Sequence, residues 1–423
     1  MSMIRLSIKM LFTISLIYGQ GIMNSYGIGH FYKNQGLNNA VDGITDLSPS
    51  LYNKSSLSNP STWHNLKFTY LSLSYNANDN SFKNKSIYNG YSSLSNAIWI
   101  IPIKSKSSFG ISLSPYSNQK VSIVDPDILQ SYVFDDTLLV SKSFDRFGGI
   151  MAFSVGSSYL LNNRISLGAK LDVLFGSSRQ NQAIFFDGSA ITKQSRTRYN
   201  GILNNLFLSI NITKNSTIFT STMFAIKPLS GTFTEKYLFD DANGNGYHDL
   251  NIISDFPHPD SVASSPEYNI NSIHNPIEYR IGFNQYIGTN FAASLQISRN
   301  EERADNISII KYPIDDWINN TNSIKVSLIK YSSSLSLKLI DKFSLKTGFK
   351  YSNFNLNKSK SMISEFGVSA GMGFKFKAVG NQLDINYYIG LRKHPILNDK
   401  ESIHQLQFGV SLGDLWFVKR RQK

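Results

Sequence analysis

Three groups of residues have types and spacing that could do chemistry. The first lies in residues 240–249, DDANGNGYHD. Asp241, Asn243, Asn245 and Asp249 fall at positions 1, 3, 5 and 9 of a calcium-loop pattern, with Gly246 at the turn and the Tyr247 carbonyl at position 7. Calcium takes about six to eight oxygen ligands, and this spacing curls carboxylates, amides and a carbonyl around one point. Position 12 is Ile252, where an EF-hand carries a bidentate Glu, so the segment is not an EF-hand. It reads either as a calcium loop like the Asp-x-Asn-x-Asn-Gly loops of extracellular repeats or as an Asn-Gly turn at a loop tip. Calcium is the one cofactor the sequence suggests.

The second group is Gly367-Val368-Ser369-Ala370-Gly371, which matches the G-x-S-x-G nucleophile elbow. That elbow needs a sharp strand-to-helix turn. Here the match lies inside unbroken period-two alternation, with Ser369 and both glycines on its polar face. The third group is His248, His258, Asp255 and Asp260, in a stretch made irregular by Pro257, Pro259 and Pro266. It reads as a metal site or, more simply, as a solvated loop. The chain has no Cys, which excludes thiolate ligands and Cys nucleophiles. Spacing assembles no Ser/His or carboxylate constellation, so the chain is not read as an enzyme.

The elements that would carry these residues are strands. At 165–175, Ile165, Leu167, Ala169, Leu171, Val173 and Phe175 alternate with Ser166, Gly168, Lys170 and Asp172. The same alternation runs through 343–351, 366–376, 383–391 and 406–412. Period two puts each apolar set on one face of a strand. The runs reach about nine residues or more, the length a tilted strand needs to cross a bilayer. Of the 423 residues 41% are hydrophobic and only 17% are charged, against about 25% charged in an average soluble protein. A helical membrane protein would need apolar runs of about 18 residues or more, and no such run is present. Strands cross lipid only as a closed barrel, because every backbone polar group must be satisfied internally. The alternative, a large soluble β-sandwich or propeller, fits less well: its outer faces would carry more charge, and no blade-length repeat is present.

Short turn signals at 161–164, 213–216, 288–290, 340–342 and 379–381 alternate with longer polar stretches near 78–90, 125–137, 179–199, 231–275, 304–322, 357–361 and 394–401. Short and long connections alternate when one end of a barrel faces the periplasm and the other faces outward. The count gives an all-β, transmembrane antiparallel barrel of about fourteen strands, with 119–147 as either one long bent strand or a strand plus a loop hairpin. Gly148 and Gly149 mark a candidate kink or gate in the wall there.

Residues 1–21 read as a signal peptide: Arg5 and Lys9, then the apolar MLFTISLIY, then small residues. Residues 22–64 are too irregular for a membrane strand, yet carry Leu37, Ala40, Val41, Ile44, Leu47 and Leu51. They are expected to form an N-terminal plug or hatch inside the barrel of 65–423, with 231–275 as a long extracellular loop insertion. The implied location is the outer membrane of a Gram-negative type of cell, with outer-membrane lipid as the surrounding partner. The formal charge is +13, but the cations lie singly on polar strand faces (Lys170, Lys346, Lys350, Lys375) and in the tail, without a nucleic-acid module. Nucleic acid is therefore not an expected partner. The lumen reads either as mildly cationic and attractive to anionic amphiphiles or as solvated and unselective.

With this layout the chain resembles the FadL-type family of outer-membrane transport barrels, as a divergent member. Ser25-Tyr26-Gly27-Ile28-Gly29 looks like the family's Tyr/Phe-Gly-Ile-Gly opening. LSNPST at 57–62 looks like its Asn-Pro segment before the first strand, and DLWFVKR at 414–420 like the ending of its divergent members. Two positions depart from it: the small-Gly-Gly signature is reduced to Val41-Asp42-Gly43, and the chain ends in a basic tail, not a terminal Phe. The resemblance implies a fourteen-stranded barrel with a hatch, and a porin-like function in passive uptake of hydrophobic or amphipathic, fatty-acid-like small molecules. An alternative is a barrel that serves as partner or scaffold for secretion-system or surface proteins, with 231–275 as docking surface. If the 240–249 loop holds calcium, adding the ion raises the melting temperature of the purified protein, and Asp241→Ala with Asp249→Ala abolishes the rise. An unchanged melting temperature in the wild type removes the calcium reading.

Overall fold

The alternation seen in the sequence builds a closed antiparallel barrel of fourteen strands in the computed structural model. The structure describes residues 22–414 apart from 83–86, 105, 134–135, 187–188, 240–247, 252–253, 257–266, 304–309, 311–313, 315, 333–338, 377–380 and 396–398. The wall strands are β1 (Thr69–Phe82), β2 (Ile87–Lys104), β3 (Ser107–Asn118, continued by Val121–Val133), β4 (Asp136–Leu160), β5 (Ile165–Phe186), β6 (Ser189–Asn211) and β7 (Ser216–Phe239). They continue as β8 (Glu267–Ile287), β9 (Phe291–Arg303), β10 (Ile318–Lys330), β11 (Phe343–Leu356), β12 (Met362–Lys375), β13 (Gln382–His394) and β14 (Asp399–Asp414). Each pairs with its neighbour in sequence, and β14 closes on β1 from Glu401↔Phe82 to Asp414↔Thr69. Closure leaves no wall edge to be satisfied by lipid, which cannot do it. The apolar sets face outward: Leu167, Val173 and Phe175 on β5 and Leu383, Ile385, Ile389 and Leu391 on β13 are exposed to the lipid side. Among the described residues no helix is long and apolar enough to cross a membrane.

The tight turns lie where Asn and Gly place them, at 161–164, 212–215 and 288–290, all at the end of the barrel that holds Thr69 and Asp414. Short turns mark the periplasmic end. Several expected outer loops are instead the upper ends of strands. β4 has 25 residues, β5 22, β6 23 and β7 24, against the roughly 9–11 that cross a bilayer. An antiparallel pair satisfies its own backbone in water as well as in lipid, so polar side chains near 125–137 and 179–199 do not end the ladder. The 119–147 stretch is a hairpin beyond the break at 119–120, Val121–Val133 pairing with the start of β4 from Val121↔Arg146 to Val133↔Asp136. Between Phe239 and Glu267 a small hairpin pairs His248–Asn251 with Ser254–Phe256.

Residues 23–66 lie inside the wall and are almost all buried. They contain three short 3-10 turns, Ile22–Ser25, Tyr32–Asn34 and Pro60–Asn65. The last begins where the Asn59 side chain accepts from Ser61 N at 3.1 Å, with Pro60 at the first position, both favourable for a helix start. It carries Trp63, whose indole packs with Val41, Leu51, Leu57, Leu66, Tyr70, Ile98 and Ile100 and donates to Ser56 O at 3.1 Å. The wall makes room for this ring with two paired glycines, Gly110 on β3 and Gly156 on β4. A Cβ on either would meet the ring, at 2.8 Å and 2.9 Å. Overpacking of this kind costs about 1–3 kcal/mol or more. Gly156→Leu is therefore expected to lower the temperature at which the folded, fast-migrating form is lost on cold SDS gels, whereas Ser157→Val on the outer face leaves it unchanged.

Candidate functional site

The chain's buried polar groups gather where the inner segment meets the wall, so this contact is the candidate site. At its upper part, His30–Phe31 pairs antiparallel with Ser117–Asn118 of β3, just before that strand breaks at 119–120. Gly29 has φ 89°, and a Cβ there would collide with the Asn118 carbonyl oxygen. Gly148 (φ 110°) and Gly149 lie on β4 across this break; a Cβ on the first would strike the Ser177 carbonyl and on the second the Ser117 carbonyl. The expected weak point thus coincides with the β3 break, and the inner segment is docked against it. Arg146 is buried beside it and donates to Gln119 O at 3.1 Å, to Gly27 O at 2.9 Å and to Asn24 O. On the neighbouring wall Phe31 stacks on His274 at 4.9 Å, and Tyr116 Oη lies 3.0 Å from His274 Nε2.

The middle of the segment is held by lysines from β11. Lys346 Nζ donates to Val41 O at 2.6 Å, to Ala40 O at 3.1 Å and to Asp384 at 2.8 Å. Lys350 Nζ donates to Asn34 O at 2.6 Å, to Gln35 O at 3.2 Å and to Glu365 at 2.9 Å. Glu365 also accepts from Tyr388 at 2.6 Å and from Arg392 at 2.7 Å, and Arg392 reaches Glu401 at 2.7 Å. His394 Nε2 lies 2.9 Å from the same Glu401. Buried ions are tolerated only when their charges are paired and their remaining protons are satisfied. Here the carboxylates supply the charge and the segment's carbonyls take the other protons. Of the four strand cations noted in the sequence, Lys346 and Lys350 are thus committed to the inner segment. Lys375 is also buried, and Lys170 pairs with Asp172 at 3.2 Å.

Two side chains of the segment show the electrostatic setting. Asp46 bonds Gln296 at 2.6 Å and Arg280 at 3.2 Å. Burial acts to raise its carboxyl pKa, but Lys325 and Arg280 hold it well below the usual carboxylate range. His30 is buried with Nδ1 unpartnered, and burial together with Arg392 pushes its pKa down to about 3. A cavity of about 160 Å³ beside Asp46 is lined by the charged Lys33, Lys170, Asp172, Glu278 and Arg280 and by the apolar Trp63, Ile98, Tyr116, Phe207 and Met223.

The other sequence candidates stay apart from this contact. Asp241, Asn243, Asn245 and Tyr247 lie outside the described residues, as do His258 and Asp260, the 1–21 leader and the basic tail. Asp249 lies in the small outer hairpin, paired with Asp255. Ser369 sits inside β12 opposite Gly348 and Tyr388, with no strand-to-helix turn. Among the described residues no group of His, Asp and Glu could hold a metal ion. Spacing does not reveal Arg146, whose partners Gly27 and Asn24 lie far off in sequence, nor Glu365, Arg392 and Glu401, which meet only once neighbouring strands pair.

Closed wall, outward apolar faces and short periplasmic turns define an outer-membrane β-barrel. Among solved structures it is similar to a Pseudomonas aeruginosa FadL homologue, at 12% identity over 93% of this chain and 98% of that one, with a TM-score of 0.53. It is also similar to the toluene transporters TbuX of Ralstonia pickettii (11% identity, 92% of this chain and 99% of that one, TM-score 0.52) and TodX of Pseudomonas putida (12%, 95% and 99%, 0.52). The fold is thus of the FadL type, as the sequence motifs imply. A family model, BamG, matches residues 3–423, and the chain belongs to the BamG family. No curated protein matches it in sequence.

Because the folded His30 binds its proton less readily than the unfolded residue, it contributes no penalty above pH about 6.5 and a growing one as pH falls toward about 3. In urea titrations the wild type is expected to lose stability through that window. His30→Asn should lose less; an equal loss in both would remove His30 as the cause.

Proposed function

We infer that the chain works as a plugged outer-membrane barrel that acts through protein partners, in secretion or attachment of surface proteins. The observation that carries this reading is the seating of the inner segment. It is bound to the wall by Arg146, Lys346 and Lys350, and the cavity beside it is small. A segment held this firmly favours a barrel used as a stable scaffold. The tall outer ends of β4–β7 supply the surface on which a partner can rest, and the 231–275 region adds to it.

A second reading is passive uptake of hydrophobic or amphipathic, fatty-acid-like molecules. It is supported by the likeness in fold to a FadL homologue and to toluene transporters. In that case the segment must leave its seat, and the β3 break beside Gly148 and Gly149 is the natural release point. Two measurements separate the readings. Cross-linking in native membranes followed by purification is expected to recover partner envelope proteins in fixed stoichiometry. Liposomes containing the protein should take up labelled fatty acid no faster than empty ones. Rapid uptake that depends on the protein, with no partner recovered, would overturn the scaffold reading.

A further inference from the structure

The periplasmic mouth holds a cavity of about 500 Å³, within the range of about 300–1,000 Å³ usual for ligand sites. Its rim is cationic: Lys54 comes from the inner segment, Arg164 from the β4–β5 turn and Lys214 from the β6–β7 turn, with His64 close by. Among the described residues its lining contains no Asp or Glu, and none of the three cations has an ion-pair partner. Tyr286 adds an aromatic ring to the lining.

The rim is built by ordered turns. Lys54 has φ 62° in a turn closed by Lys54 N to Leu51 O at 2.9 Å, and its carbonyl accepts from Asn65 at 3.1 Å. Its Nζ lies 4.3 Å from the centre of the Tyr286 ring. The Arg164 amide donates to the Asn162 side chain at 2.8 Å, and the Arg164 carbonyl accepts from Asn211 N at 2.7 Å. Thr213 donates to Ser216 at 3.0 Å in the other turn. Three cations are thus presented from three separate backbone anchors around one opening. Elsewhere in the barrel the buried Arg146, Lys346, Lys350 and Arg392 are paired with carboxylates or with backbone carbonyls; here the charge has no counterpart within the cavity.

We propose that this vestibule is a docking site for an acidic peptide segment of a periplasmic protein, its carboxylates on the Lys54–Arg164–Lys214 rim and an apolar side chain against Tyr286. A free inorganic anion would leave the aromatic surface unused. An anionic lipid would have to draw its chains out of the bilayer and past the wall, because the lining residues Ser166, Ser209 and Thr217 face inward. A peptide from a periplasmic partner satisfies both kinds of surface. The proposal rests on the scaffold reading and assigns it a contact.

The test is fluorescence anisotropy of a labelled short Asp/Glu peptide with one central Phe, added to the full-length protein in detergent, with a Lys/Arg peptide as control. Wild type is expected to bind the acidic peptide alone, and more weakly as salt rises. Arg164→Glu with Lys214→Glu, both on exposed turns, should weaken binding by about tenfold or more. Lys360→Glu with Lys393→Glu at the outer end should change it by less than about twofold. Equal losses in the two pairs, no binding by wild type, or binding of inorganic phosphate or phosphatidylglycerol vesicles in place of the peptide would each overturn the proposal. Partners recovered unchanged from membranes by the Arg164→Glu, Lys214→Glu variant would overturn the vestibule while sparing the scaffold reading; loss of all partners from wild type would remove that reading itself.

Discussion

A cation buried inside a barrel has no water to turn to. Every proton on it must find an acceptor that the chain supplies. Lys346 and Lys350 meet this requirement with one carboxylate each and two backbone carbonyls of the inner segment each. Arg146 meets it with carbonyls of Asn24, Gly27 and Gln119. The bonds work in both directions. The segment has little regular secondary structure, so its carbonyls need donors; the wall cations need acceptors. Removing either party leaves the other buried and unsatisfied, which costs more than the bond itself is worth. The closed lumen follows from this mutual dependence.

The same requirement explains the shape of the inner wall. A segment of forty or so residues, most with Cβ atoms, can approach a wall most closely where the wall has none. Gly110 and Gly156 admit Trp63, Gly348 lies against Ile44, and a Cβ on Gly409 would stand 2.6 Å from that of Ala40. Between these openings, longer polar side chains reach across to bond the segment: Gln405 and Gln407 to Leu37 O, Asn386 to Ala40 O, Gln296 to Leu47 N and Asp46. Small residues let the backbone in and amides and cations hold it. The outer face needs neither and is mostly apolar at membrane depth.

Much of the wall could be read from the sequence because period two is a local property. Leu383, Ile385, Tyr387, Ile389 and Leu391 announce an outward face without reference to any other strand, and Asn and Gly announce the periplasmic turns. The expectation of about fourteen strands and of a FadL-type fold survives on that basis. Strand ends were harder, because polar residues such as those at 179–186 extend a ladder above the membrane without changing its hydrogen bonding. The site was largely hidden. Lys346 and Lys350 were noticed as polar-face cations, but nothing near them in sequence reveals that Val41 and Asn34 supply their acceptors from about three hundred residues away. One signal was available: the inward faces of β11–β13 carry Gly348, Gly367, Gly371, Gly373 and Gly390, more glycine than a water-filled lumen requires. Read as space, they point to something packed inside.

The central claim is that buried cations of the wall hold the inner segment in the lumen and keep it shut. Single-channel recording in planar bilayers addresses this most directly, with wild type beside Lys346→Met and Lys350→Met together. Wild type should stay at the baseline, and the double variant should show openings as the segment loses its anchors. Steady conductance through wild type, or a double variant that folds into the membrane and stays as closed as wild type, would contradict the account.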